Sequence, residues 1–174
     1  MTSMGDRATP LLGSLLFVVV VPGTVAVVIP AAITRWALVP WGPWPLVVAI
    51  SVGLLVTGAD VLLHAVWRFA VDGRGTPSPT APTERLVVSG AYRHVRNPMY
   101  VAVASVIGGQ ALLCPSVGIL LYLLLFAVAV TAFVRLYEEP TLQAAHGESY
   151  QRYQQAVPRW VPRLRPWREP SAPS

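Results

Sequence analysis

Residues 99–134 read MYVAVASVIGGQALLCPSVGILLYLLLFAVAVTAFV and hold no charged side chain. At 1.5 Å per residue this run is too long for one upright crossing of the ~30 Å hydrocarbon core of a bilayer. Cys114-Pro115-Ser116 interrupts it, and a proline there cannot continue a helical ladder. The run therefore predicts a helical hairpin with arms over residues 98–113 and 116–137. The first arm is near the short limit for spanning. Its paired Gly108 and Gly109 permit close helix packing.

A hairpin returns the chain to the side it left, so the segments flanking this run meet at one face. The leading flank is Gly90-Ala91-Tyr92-Arg93-His94-Val95-Arg96-Asn97-Pro98-Met99-Tyr100, polar, basic and aromatic. Asn97 suits a helix N-cap, and Pro98 suits the first helical position, where its missing N–H costs nothing. The first turn of that helix offers free N–H groups and the positive end of a dipole, which favour an anion. Tyr92 and Tyr100 can present π faces to a cation. One small ligand carries both charges: S-adenosylmethionine, with its carboxylate and its sulfonium. An ordinary juxtamembrane loop with interfacial Tyr and Arg fits the same residues. The trailing flank carries Arg135, Glu138 and Glu139, which alone read as a solvated helix end.

The rest of the composition agrees with a bilayer environment. Of 174 residues, 54% are hydrophobic and 12% charged, and the mean hydropathy is +0.55. A soluble domain carries roughly 25% charged residues. The net charge is +5, and every basic residue is Arg. These arginines flank apolar runs, so they face lipid headgroups and not nucleic acid. The single Cys114 excludes an intrachain disulfide and a multi-cysteine metal site, and no metal is expected.

Two further spans precede the motif. Residues 11–34 are too long for a signal-peptide core, and Pro22 and Pro30 should kink the helix they form. Trp36, Trp41 and Trp44 mark an interfacial turn. The second span covers about residues 46–69. Asp60, His64 and Arg68 recur there at i, i+4 and i+8 and share one face. They are either functional or a pair inside the bundle with Arg68 snorkelling. Residues 71–89 form a Pro-rich loop ending in a short extended piece. The tail, with Tyr150, Tyr153, Val157, Pro158, Arg159 and Trp160, reads as a short amphipathic helix followed by an extended basic-aromatic segment on the membrane.

The fold expected is all-α: a polytopic membrane protein of about four transmembrane helices, including the C-terminal hairpin, with a cytosolic cofactor pocket. It is one domain over residues 1–174. Residues 1–70 give two spans, 71–97 the cytosolic loop and motif, 98–137 the hairpin, and 138–174 a cytosolic tail. Arg7, Arg74, Arg85, Arg93, Arg96 and the tail arginines fall on one side and Arg35 on the other. The positive-inside rule places both termini and the motif in the cytoplasm, in an inner or plasma membrane.

Taken together and in order, these pieces resemble the membrane methyltransferases of the isoprenylcysteine carboxyl methyltransferase and phospholipid methyltransferase superfamily. That family shows Gly-x-Tyr, Arg-His-Pro-x-Tyr, a helical hairpin, Glu-Glu, Gly-x-x-Tyr and Val-Pro. The chain has Gly90-Ala91-Tyr92, Arg96-Asn97-Pro98-Met99-Tyr100, Glu138-Glu139, Gly147-Glu148-Ser149-Tyr150 and Val157-Pro158. The resemblance covers about the C-terminal half. It implies S-adenosylmethionine bound at the cytosolic edge. Glu84, Arg85, Leu86 and Val87 would lie along it, Tyr92, Asn97, Pro98, Met99 and Tyr100 would contact it, and Glu138 would close the pocket from the other helix, with Glu139 also among the cofactor-binding residues. Arg135 and His64 are the candidates for the acceptor. Asn97 stands where many relatives have His, so a titrating group is missing there.

The activity implied is methyl transfer from S-adenosylmethionine to a lipidic or amphipathic acceptor. No catalytic residue is assigned. Two other readings use the same scaffold. One is a non-catalytic membrane subunit or permeation module. The other is an NADPH-dependent membrane reductase, since sterol-reductase-like proteins share pieces of this architecture.

Overall fold

The computed structural model describes residues 20–38, 44–72, 86 and 88–168, with the backbone alone for 66–72. Among these residues every regular element is helical. Helix α1 covers Val20–Thr34, α2 Pro45–Asp72, α3 Pro98–Leu113, α4 Val117–Phe133 and α5 Glu139–Ala156. A 3₁₀ turn, Gly90–Arg93, leads into α3. A π-helical turn, Val134–Glu138, joins α4 to α5 without a break.

The hairpin forms where the charge-free run predicts it. Helix α3 ends at Leu113, and Ser116 caps α4 by accepting a hydrogen bond from the Ile119 N–H at 3.3 Å. The chain doubles back: Tyr100, near the start of α3, touches Glu138, just past the end of α4. Two helices are long and apolar enough to cross a membrane, Pro45–Ala65 and the apolar part of Val117–Ala156, and α1 and α3 are shorter apolar helices. Leu120, Leu121, Leu124, Leu125 and Val128 of α4 and Val52, Val56 and Leu63 of α2 are exposed. Large contiguous apolar surface of this kind belongs against lipid.

Helix α3 is the hub of the bundle, and its broadest contact is with α2. Small residues set that contact. A Cβ on Gly58 of α2 would lie 2.9 Å from the Ala102 carbonyl oxygen, and one on Gly109 of α3 would lie 2.9 Å from the Ser51 carbonyl oxygen. Gly108 has nothing within 4 Å. Of the glycine pair, Gly109 alone permits the close approach. Buried Val103, Val106, Ile107 and Ala111 of α3 complete the core with Ala26 of α1 and Ile119 of α4.

The backbone around Pro30 of α1 is satisfied through neighbours, as expected. Residues Thr24–Val28 take a π-helical turn, with the Ile29 N–H bonding to the Thr24 carbonyl. Pro30 has no N–H to offer the carbonyl four residues earlier, on Ala26. Gln110 Nε2 of α3 donates to that oxygen at 2.6 Å. The wide turn also frees the Val25 carbonyl, and the Tyr122 hydroxyl of α4 donates to it at 2.8 Å. Backbone groups in an apolar medium must be satisfied by such neighbours.

One expectation is corrected. Asp60 and His64 do not pair inside the bundle; both side chains are exposed on α2. The inward faces of α2 are taken by residues such as Ser51, Gly58 and Ala65, which the close contact with α3 requires to be small. The Arg68 side chain lies outside the described residues. The tail after Ala156 is irregular and not helical over the described residues. It runs antiparallel to residues 93–96, where its backbone groups find partners.

Candidate active site

The motif is positioned by turn chemistry. Ser89 is extended, and the chain then turns at Gly90 with φ +55°, a left-handed conformation that favours glycine. This turn directs Tyr92 inward ahead of α3. Asn97 occupies the N-cap, as its neighbour Pro98 requires, but its side chain makes no capping bond. Its Nδ2 instead donates to the Arg159 carbonyl at 3.2 Å. The start of α3 therefore has no side-chain cap, the opposite of the expected arrangement. The competing acceptor is a backbone carbonyl of the tail.

The hairpin brings the two polar flanks together. The Tyr100 hydroxyl donates to Glu138 Oε2 at 3.1 Å. The adjacent carboxylate, Glu139, takes a different set of partners. Its Oε1 accepts from Arg96 Nη1 at 2.7 Å and from Arg159 Nε at 2.8 Å, and its Oε2 accepts from Arg159 Nη2 at 2.7 Å. The π-helical turn before it matters here. One extra residue in a turn rotates the next residues of the helix by roughly 100°, so both carboxylates are re-aimed relative to α4. Arg135, within that turn, is exposed.

Burial sets the electrostatics. Glu138 is held above the ordinary carboxylate range by burial, opposed by the Tyr100 hydrogen bond and reinforced by the charge of Glu139. Among the described residues it has no cationic partner. Burial likewise pushes the Tyr92 phenol far above its usual value, with the Glu138 charge adding to the shift. Tyr92 is therefore a neutral hydroxyl at any physiological pH. Tyr150 belongs to the same cluster: burial raises it, Glu139 raises it further, and Arg96 opposes both. Arg96 keeps one buried donor, Nε, with no acceptor among the described residues.

The tail closes this end of the molecule. The Arg96 N–H donates to the Pro158 carbonyl at 2.9 Å, the Arg163 N–H to the His94 carbonyl at 2.9 Å, and the Trp167 N–H to the Arg93 carbonyl at 2.9 Å. His94 Nδ1 donates to the Arg163 carbonyl at 2.8 Å, and Arg93 Nε donates to the Trp167 carbonyl at 2.6 Å. The Tyr153 hydroxyl donates to the Tyr92 carbonyl at 2.6 Å. Tyr150, Tyr153 and Val157 form a small buried core, against which Leu86, Val88 and Trp167 pack. On the opposite face of α3 lies a separate apolar cleft of about 280 Å³, walled by Val61, Ala91, Val95, Val101 and Ala102 among others. The Thr57 and Ser105 hydroxyls in its wall donate to carbonyls of their own helices, which leaves carbon facing the space.

Of the residues picked from sequence, Tyr92, Asn97, Pro98, Met99, Tyr100, Glu138 and Glu139 lie on the elements that converge here. Leu86 packs behind them in the Tyr150–Tyr153 cluster. Arg135 and His64 are exposed. Glu84, Arg85 and Val87 lie outside the described residues. The sequence reading missed the part played by Arg159, Tyr153, Arg163 and Trp167. The only signal was their placement in a tail rich in Arg and aromatics.

Fold and cluster together define a helical protein of membrane type, whose polar end is assembled by a returning hairpin. The chain belongs to the phospholipid methyltransferase family: the family model matches residues 46–149, more than half of its length. It is thus a methyltransferase of the membrane class. No curated protein and no solved structure matches it. The family match ends at Ser149, ahead of Tyr150, Tyr153 and Arg159.

Proposed function

We propose that this protein transfers a methyl group from S-adenosylmethionine to an acceptor with an apolar tail, at the cytosolic face of a membrane that it crosses four times through α1 to α4. The observation that carries the reading is the 3.1 Å contact between Tyr100 and Glu138, with Tyr92 beside them. A largely buried carboxylate beside tyrosine rings offers the negative charge and π faces that a sulfonium cation needs, which supports the reading. The residues fit such a ligand in two further respects. Glu138 is a buried carboxylate without a cationic partner among the described residues, a state that a bound cation would relieve. Arg96 Nε is a buried donor with no acceptor among the described residues, suited to a carboxylate.

In this reading Tyr92, Asn97, Pro98, Met99 and Tyr100 form one wall of the site and Glu138 the other. Leu86 backs it, and Glu84, Arg85 and Val87 belong to the preceding edge. Bound S-adenosylmethionine supplies a methyl group already activated by the sulfonium. The acceptor's lone pair forms the new bond to the methyl carbon as the carbon–sulfur bond breaks, with that pair left on sulfur. An amine acceptor also releases a proton. The protein's part is to hold the two reactants in line, to exclude water, and to keep Glu138 charged against the cation. The apolar cleft behind residues 91–95 offers a seat for the acceptor's chain. Arg135 and His64, being exposed, are left as candidates for contact with its headgroup.

The test is equilibrium binding of radiolabelled S-adenosylmethionine to purified protein, with Tyr100→Ala and Glu138→Gln as variants. Weakened binding in both is the expected result. Undiminished binding in both removes this pocket. Mass spectrometry of membrane lipids incubated with protein and deuteromethyl-labelled cofactor then reads the acceptor class. A tight NADPH complex in place of S-adenosylmethionine would favour the reductase reading, and cofactor binding without transfer the non-catalytic one.

A further inference from the structure

The paired acids Glu138 and Glu139 are neighbours in sequence, and the resemblance treats them alike, yet their surroundings differ. Glu138 accepts from a neutral tyrosine hydroxyl. Both oxygens of Glu139 are spent on guanidinium donors, at 2.7 to 2.8 Å, from Arg96 of the motif and Arg159 of the tail. The Arg159 bonds are bidentate, the geometry that makes arginine–carboxylate pairs strong and directional. The Glu139 side chain is only 12% exposed and that of Arg96 only 9%. The pair is thus largely removed from water, where losing one partner is costly. Arg159 reaches the motif a second way: its carbonyl accepts from Asn97. On either side of it, Pro158 and Arg163 bond to the backbone of Arg96 and His94.

From this we infer that Glu139 is not a ligand of the cofactor but the anchor through which Arg159 positions the motif that forms the cofactor wall. Arg159 is then a positioning residue of the site, supplied by a segment outside the family match. This inference rests on the proposed cofactor site for its activity arm and on geometry alone for its structural arm. The chain of contacts is short: Arg159 holds Glu139, Glu139 holds Arg96, and Arg96 is followed directly by Asn97, Pro98, Met99 and Tyr100. Because the clamp ties tail to wall, occupancy of the site and docking of the tail are thermodynamically coupled, and each strengthens the other.

The full-length protein in lipid nanodiscs tests this with Glu139→Gln, Arg159→Ala, Arg159→Lys and the double variant Glu139→Gln/Arg159→Ala. Two quantities are read in each: hydrogen exchange at the Arg163 and Trp167 amides, and affinity for S-adenosylmethionine. Each single truncation is expected to speed exchange at both amides and weaken cofactor binding by about tenfold. The double variant should be no worse than Glu139→Gln alone, since that change already removes the Arg159 contact along with the Arg96 one. Arg159→Lys should restore part of both, and the cofactor should slow tail exchange in the wild type but not in Arg159→Ala. Two results overturn the inference. One is wild-type cofactor affinity in Arg159→Ala. The other is weakened binding in Glu139→Gln with tail exchange unchanged, the mark of a direct ligand. Absence of binding by the wild-type protein would instead break the cofactor reading. The exchange arm would still decide whether the clamp exists.

Discussion

The two ends of helix α3 are held by opposite means. In the bundle, its middle and far end pack against α2 through Gly58 and Gly109 and repair the backbone of α1 through Gln110. Polar groups there serve carbonyls freed by Pro30 and by a wide turn, and none of these contacts involves a charged side chain. At its start, α3 is gripped by carboxylates, arginines and the backbone of a distant tail. The contrast shows what each medium demands. Where water is absent, close packing of small residues and satisfaction of every carbonyl hold helices together. At the polar rim, charge and extended backbone can be used, and there a site can be built. The rim also contains a second contrast, between a carboxylate without a cationic partner among the described residues and one held by two arginines.

The largest effect expected from breaking this contrast is on catalysis. Glu138→Gln removes the negative charge facing the proposed cation and should lower methyl transfer by about 100-fold, with the melting temperature in detergent not lowered. Enlarging the helix contact comes next. Gly109→Ala sets a methyl 2.9 Å from a backbone oxygen that cannot move aside. It should cost about 1–3 kcal/mol of stability, read by thermal melting. Gly108→Ala, with open space around it, should be neutral or slightly stabilising. A smaller loss is expected for Gln110→Leu, which strands the Ala26 carbonyl and should cost about 1 kcal/mol. Tyr122→Phe should do the same through Val25.

The mildest effect concerns pH. Burial raises Glu138, so it becomes protonated at less acidic pH than an ordinary carboxylate. For the folded protein alone the sign favours acid: the neutral form is the one the buried site prefers, so this group's contribution to stability improves as pH falls through the raised value. Binding of a cation has the opposite sign, because it needs the carboxylate. Affinity for S-adenosylmethionine should therefore weaken on mild acidification, and the Glu138→Gln variant should lose that dependence. A pH-independent wild-type affinity would count against Glu138 as the counter-charge.

Much of the arrangement was legible in the residues themselves. The hairpin followed from the length of a charge-free run and the proline in its middle, because bilayer thickness is a fixed ruler. The convergence of residues 92–100 with Glu138 followed from that hairpin. What could not be read was which side chain answers which. Asp60 and His64 share a helix face in any α-helix, but whether that face turns inward depends on where α3 packs. Gly108 and Gly109 are equivalent on paper, and only the rotation of α3 against α2 separates them.

The amino-acid sequence by itself determined the number and order of the apolar helices, the return of the chain, and the pair of polar flanks, since these depend on local propensity and on hydrophobic length. The tertiary structure alone decided that Asn97 leaves its own helix end for a tail carbonyl, that a π-helical turn re-aims two adjacent acids, and that Arg159 claims one of them. Those choices are competitions between near-equal hydrogen-bond partners. Only the three-dimensional placement of the competitors settles which partner wins.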